Sequence, residues 1–258
     1  MSIITIARGS LSGGQALGER VAGRLGYRCV SSEDLIETAA KFGVPEPRLS
    51  RFFDKMPSFW ERVTRARRLY LLVLQAAMYE LARGGKLVYH GQAGQQLLKG
   101  ISQVIKVRLI AALEDRIHAA MVREELSREA AARYIRQVDE ERLRRLRYLF
   151  EIDWRQPALY DVVLNLEYMS LETAADVVVY MTGRQEYQPT PVSEHLLDDL
   201  ALGSWIRASL AVHGIELDVR ADGGVVWVTG HVDSSELRKQ IMAIAQAVPG
   251  AKQVIANL

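Results

Sequence analysis

Residues 3–14, IITIARGSLSGG, join a short apolar run to an amphipathic stretch at 15–25 through a loop of glycine and serine. A strand feeding a helix through such a loop constrains how the fold begins. Backbone N–H groups at a helix N-terminus can face an anion only where no Cβ blocks the approach. Gly9 and Gly14 keep the spacing of a P-loop, but the Lys and Ser/Thr that complete that motif are Gln15 and Ala16 here. The loop has the backbone of a phosphate cradle without the ammonium that follows the transferring charge or the hydroxyl that holds Mg²⁺. From these residues alone, a nucleotide site and a strand-to-helix turn without a ligand both stay open.

The same order repeats through residue 183. Apolar runs predict strands at 3–6, 27–31, 86–90, 103–110 and 161–166. Amphipathic spacing predicts helices at 15–25, 33–42, 60–83, 114–124, 128–149 and 171–181. This alternation makes an α/β fold with a mostly parallel sheet covered by helices on both faces, and it puts ligands at the carboxyl ends of the strands. Residues 184–193, RQEYQPTPVS, break both periodicities and read as a linker. Beyond it, 194–258 runs helix, strand, strand, helix, strand, with expected elements at 198–213, 215–220, 225–229, 235–248 and 251–255. Asp222-Gly223-Gly224 supplies the hairpin turn. The chain thus divides into a first domain at 1–183, a linker at 184–193 and a small α/β domain at 194–258.

Charge narrows the partners. Thirty-three basic and 31 acidic residues leave a net charge of +2, which gives no concentrated field for nucleic acid. Cys29 is the one cysteine, so the chain has neither an internal disulfide nor a cysteine-rich metal site, in keeping with a reducing compartment. No apolar run approaches the length that spans a bilayer, and the expected location is the cytoplasm. His195, His213 and His231 show no ligand spacing among themselves, so no metal site is expected. The last domain then serves contact rather than chemistry, and a piece ending near Arg184 is expected to fold alone.

The middle of the chain adds a longer signature. SREAAARYIRQVDEER at 127–142 is followed by Arg144, Arg145 and Arg147, then by Asp153-Trp154, Tyr160-Asp161 and Asn165. On a helix, Arg133, Arg136, Asp139 and Arg142 follow at three-residue steps along one stripe, where guanidinium groups can clamp phosphates. A solvated, salt-bridged face is the alternative. Together with ITIARGSLSGG, this string resembles the cytidylate kinase-like family of P-loop nucleoside-monophosphate kinases over residues 1–183.

The resemblance implies phosphoryl transfer from ATP, with Mg²⁺, to a nucleoside monophosphate such as CMP. It implies phosphate contacts from Gly9, Ser10, Ser12, Gly13, Gly14 and Gln15, lid arginines at Arg136 and Arg142, and Asp139 between them. It places substrate contacts at Asp34, His90, Gln92 and Arg133. Three positions depart from the family pattern. Gln15 stands where a basic residue follows the glycines, Gln92 where a second phosphate-binding arginine is expected, and Ser32 where an acid ends the second strand. Each departure removes a charge-assisted contact of roughly 1.5–3 kcal/mol. Either Arg8, His90 or a lid arginine substitutes, or the transfer is weak. A catalytically silent nucleotide sensor is therefore the rival reading, and a purely structural interaction protein is a third. The closing string VWVTGHVDSSELRKQIMAIAQAVPGAKQVIANL resembles the BON domain, a module of binding or tethering, which implies self-association, a protein partner or a membrane surface.

Overall fold

The computed structural model describes residues 1–54 and 66–258, and these form two compact units: Met1–Ser32 with Gly85–Gln188, and Glu33–Gly84 with Pro189–Leu258.

The first unit is built on a five-stranded sheet of β1 (Ile3–Arg8), β2 (Arg28–Ser31), β3 (Leu87–His90), β4 (Val104–Ile110) and β5 (Val162–Asn165). The strand order is β2-β3-β1-β4-β5, and every pairing is parallel. β1 lies at the centre, so the loop that follows it leaves the carboxyl edge in the middle of the sheet. Parallel strands covered on both faces are predominantly apolar, and β1 is buried up to Arg8 and β3 throughout. Ile4, Ile6, Val88, Val107 and Leu164 pack against Leu17 and Val21 of α1 (Gly14–Leu25). Ala174, Ala175 and Val178 of α8 (Leu171–Thr182) close the same cluster. Ser127 accepts from Ala130 N–H and starts α7 (Arg128–Phe150), while Ser170 does the same for α8 through Thr173 N–H. A smaller cluster joins Ile117 and Ala120 of α6 (Leu113–Glu124) to Ala131 and Ile135 of α7. The α/β class and the parallel sheet expected from the sequence are the fold observed. The expected helix at 60–83 is α4 (Ala66–Ala82), and residues 60–65 lie outside the described residues.

The second unit draws on two stretches of chain. From the first come α2 (Ser32–Ala40) beyond Ser32, α3 (Glu46–Asp54) and α4; from the second come α9 (Pro191–Val212), β6 (Asp218–Asp222), β7 (Val225–Thr229), α10 (Ser235–Gln246) and β8 (Gln253–Asn257). α4 packs against α9, Phe42 meets Trp205 edge to face at 5.4 Å, and Arg83 reaches Asp198 at 3.3 Å. β7 pairs antiparallel with β6 and parallel with β8, over a core of Ile206, Leu210, Val219, Val226, Val228 and Ile241.

Proline accounts for two differences from the sequence reading. α3 follows Pro45 and contains Pro47 near its start, and α9 begins at Pro191, inside the stretch read as a linker. A proline in the first helical turn sacrifices no hydrogen bond, because that N–H has no partner within the helix. Thr190 and Ser193 then close a capping box around Pro191. The four-residue α5 (Gly94–Leu97) is too short for any periodicity to reveal. Among the described residues, no helix is long and apolar enough to cross a membrane.

Candidate phosphate-binding site

β1 ends at Arg8 and α1 starts at Gly14, so the 9–13 turn sits at the carboxyl edge of the sheet. Gly13 takes φ +83° at the helix N-cap, a left-handed conformation that side chains resist. A Cβ on Gly14 would lie 2.1 Å from Arg8 Cδ, and one on Gly9 would lie 3.2 Å from Arg116 Cζ. The glycines therefore let two arginines lie against the loop.

Side chains from within the turn and from elsewhere hold it in shape. Ser12 Oγ donates to Gly9 O at 2.8 Å, and Ser10 N donates to Asp139 Oδ1 at 3.0 Å. Arg116 Nε donates to Ser10 O at 2.7 Å while its Nη2 meets Asp139 Oδ2 at 2.5 Å. Arg142 Nη1 donates to Arg8 O. Residues on α6 and α7 thus clamp both sides of the Ser10 peptide and the end of β1. Asp139 acts here as an acceptor for the loop and for Arg116, and Arg142 lies buried behind it.

Beside the loop opens a cavity of about 320 Å³. Gly9 and Ser12 line it together with the polar side chains of Arg108, Arg116, Arg136, Asp139, Glu140 and Arg155, the Trp154 ring and several apolar residues. Trp154 is flanked by two guanidinium groups, with Arg108 Cζ 5.4 Å and Arg142 Cζ 5.8 Å from its ring centroid. Burial, and then repulsion from Arg8, bring the Arg142 pKa down to about 10, with Asp139 opposing the shift. Burial also lowers that of Arg108. At the rim, Asp153 takes Arg155 in a two-point pair, Nε to Oδ1 at 2.9 Å and Nη2 to Oδ2 at 2.7 Å. Those hydrogen bonds hold its carboxyl well below the usual range. Tyr160 OH donates to Trp154 O at 2.6 Å, and burial pushes the Tyr160 pKa up to about 12.

The residues nominated from the sequence are dispersed unevenly. Gly9, Ser12, Arg136 and Asp139 share the cavity; Ser10 is buried behind it, and Gly13 and Gly14 form the helix start. Gln15 is exposed and its Nε2 donates along α1 to Glu19 Oε1 at 2.8 Å. Gln92 accepts from Arg145 Nη1 of α7 at 3.1 Å. His90 is buried against α1, where a Cβ on Gly18 would lie 3.1 Å from its ring. Arg133 is exposed on α7, and Asp34 is exposed on α2 among residues of the second unit. The sequence reading missed Arg108, Arg116 and Arg155 and gave Trp154 no role. Arg108 carried a readable signal, since it lies near the carboxyl end of a predicted strand, where ligands of such sheets bind.

Residues 3–168 match the model of the cytidylate kinase-like family, and residues 198–258 match that of the BON domain. A cytidylate kinase of Pyrobaculum islandicum is 27 % identical over 175 residues, 67 % of this chain and 89 % of that protein. The crystal structure of an uncharacterized protein from Eubacterium ventriosum superposes with a TM-score of 0.56 at 19 % identity, covering 71 % of this chain and 99 % of that one. With its central loop, its parallel sheet and a family match over most of its length, the chain belongs to the cytidylate kinase-like family.

Proposed function

We infer that the first unit binds ATP and transfers its terminal phosphoryl group to a nucleoside monophosphate, with CMP the first acceptor to test. The observation that carries this reading is the set of four guanidinium groups, from Arg108, Arg116, Arg136 and Arg155, lining one cavity beside a glycine loop. The loop amides bind phosphate oxygens, as bare N–H groups at a helix start do. Arg116, held by Asp139, lies beside that loop. Arg136 is exposed on the cavity wall and can follow charge onto the transferring group. Arg142 and Arg8 supply positive potential from behind, and Trp154 provides an apolar wall that keeps water off the reacting groups.

The donor set suits a triphosphate better than it suits a bare metal ion. Asp139 is engaged by Arg116 and the Ser10 amide, which leaves Glu140 as the carboxylate of the lining that would hold Mg²⁺ together with phosphate oxygens. Bound Mg²⁺ would supply charge neutralisation for the phosphates.

One observation favours the sensor reading instead. Gln15 turns toward Glu19, and the Ser12 hydroxyl is engaged by Gly9 O, so the loop brings no cation of its own. A coupled assay of ATP consumption across a panel of monophosphates, with ATP affinity measured in parallel, separates the two. Turnover with any acceptor supports the kinase, binding without turnover supports the sensor, and absence of binding overturns both. The BON-like segment is proposed to hold a partner, a second copy of the chain or a membrane surface.

A further inference from the structure

The structure brings together three side chains of the second unit that the sequence keeps apart. His195 and Asp199 lie one turn apart on α9, so their side chains share a helix face. Asp222 ends β6, at the turn into β7. His195 Nε2 is 3.8 Å from Asp199 Oδ2 and 3.6 Å from Asp222 Oδ1, and the three donor atoms all lie within 4.8 Å of one another. We propose that His195, Asp199 and Asp222 form a binding site for a divalent transition-metal ion of the Zn²⁺ type, clipping α9 to the β6–β7 hairpin.

The donor set and its support argue for this ion class. Donors about 2.0–2.2 Å from a tetrahedral Zn²⁺ stand roughly 3.3–3.6 Å from one another, so the observed separations close with small side-chain rotations. An imidazole nitrogen among the carboxylates selects a borderline ion over Mg²⁺ or Ca²⁺, which prefer all-oxygen sets. Two carboxylates with a neutral imidazole carry two negative charges, which one divalent ion neutralises. Asp199 is held ready: its Oδ1 accepts from Gly223 N at 2.9 Å, which turns Oδ2 toward His195. Gly223, with φ +59°, draws the turn so close that a Cβ there would lie 3.7 Å from His195 Nε2. Lys252 Nζ occupies the Gly223 carbonyl at 3.1 Å, so the ligands come from side chains, with water or a partner's group completing the shell. The packing of α9 on β6 beneath makes the scaffold firm, since Ile206 and Leu210 share a core with Val219. The sequence reading compared the histidines only with each other and so passed over this pairing of a histidine with two aspartates.

The test uses the full chain, stripped with chelator and free of nucleotide. Titration with Co²⁺ is expected to give one saturable equivalent with visible absorption bands, displaced by Zn²⁺. His195→Ala and Asp222→Asn, at exposed positions, are each expected to weaken uptake by more than roughly tenfold, a cost that even loss of an outer-shell partner can reach. His231→Ala removes another exposed imidazole, which lies 2.9 Å from Asp233, and is expected to leave uptake unchanged. Zn²⁺ is expected to raise the melting temperature of the unsubstituted chain and of His231→Ala, but not of His195→Ala. Lack of saturable uptake at millimolar Co²⁺ overturns the proposal. So does uptake that survives both His195→Ala and Asp222→Asn.

Discussion

The two units differ in how the chain supplies them, and the difference separates sequence order from packing. The family match runs unbroken from residue 3 to 168, yet Glu33–Gly84, within that stretch, packs with Pro189–Leu258. The first unit closes its principal core with its own strands and with α1 and α8. The second unit closes a core within residues 202–258, and it adds to that core a contact between two distant stretches of chain. α4 and Phe42 come from the kinase-like stretch, while α9 and Trp205, which cover them, come from the far side of the expected linker. A boundary drawn where composition changes marks where one family pattern ends. Apolar faces also cover each other across that boundary, as those of α4 and α9 do.

The largest effect tests this contrast directly. A chain ending after Gln188 removes α9 from α4 and Trp205 from Phe42. Val73, Leu74, Met78 and Tyr79 of α4 are all buried in the full chain. Each large apolar side chain returned to water costs about 1.5–3 kcal/mol, and several together approach the ~5–15 kcal/mol that holds a typical domain. The expected outcome is rapid proteolysis within 33–84 and loss of the corresponding helical circular dichroism signal. A truncated chain that keeps its full share of helix and resists protease would restore the modular reading and break the comparison.

Within the first unit, the next effect falls on the ion pair that clamps the loop. Arg116 and Asp139 are 13 % and 25 % exposed, so removing one partner leaves a largely buried charge uncompensated. Arg116→Ala is expected to cost about 3 kcal/mol in denaturant unfolding, the lower end for a broken buried pair, and to weaken ATP binding. Because Asp139 also accepts from Ser10 N, Arg116→Ala with Asp139→Ala should cost less than the sum of the two. Additive losses would show that the clamp is not a unit. The second unit's melting should stay unchanged, which sharpens the contrast between the two.

What the sequence made legible follows the range of the interactions involved. Most strands and helices were readable because apolar runs and the 3.6-residue period are local, as in β1 and α7, whereas α3 and α5 were not. The 9–14 loop was readable because its glycines adjoin a strand and a helix. Arg116 was not, because its role comes from a hydrogen bond to Ser10 O across 106 positions. Pro191 was misread as a break because proline weighs against a helix everywhere except in its first turn. His195 and Asp222 belong to separate elements, and only the hairpin turn at Gly223 brings them together.

A smaller effect concerns Gln15, which marks what the loop lacks. Gln15→Lys puts an ammonium where the motif normally has one, at an exposed position that breaks only the hydrogen bond to Glu19. If transfer is limited by that missing charge, turnover should rise by about tenfold with little change in ATP affinity, since the added cation acts mostly on charge developing in the transition state. Unchanged turnover would mean that the arginines of the opposite wall already supply the stabilisation. In either outcome the second unit's stability serves as the control.

The smallest effect is a pH dependence confined to the first unit. Asp153 has its carboxyl depressed chiefly by the hydrogen bonds from Arg155, with Arg147 adding a contact at 3.1 Å. A carboxyl whose folded pKa lies below its unfolded value stabilises the folded state in full above the unfolded value, about 3.9, and loses that contribution as the pH falls. Asp153→Asn removes the charge at every pH. The stability gap between the unsubstituted chain and this variant should therefore be constant from about pH 5 to 7 and shrink below about pH 4. Urea unfolding followed by Trp154 fluorescence, with the other tryptophans replaced by phenylalanine, reads the unit in which the carboxylate sits. A gap that widened in acid would mean that Asp153 is not held by the arginines in solution, and the rim of the cavity would then lack the ion pair that fixes Arg155.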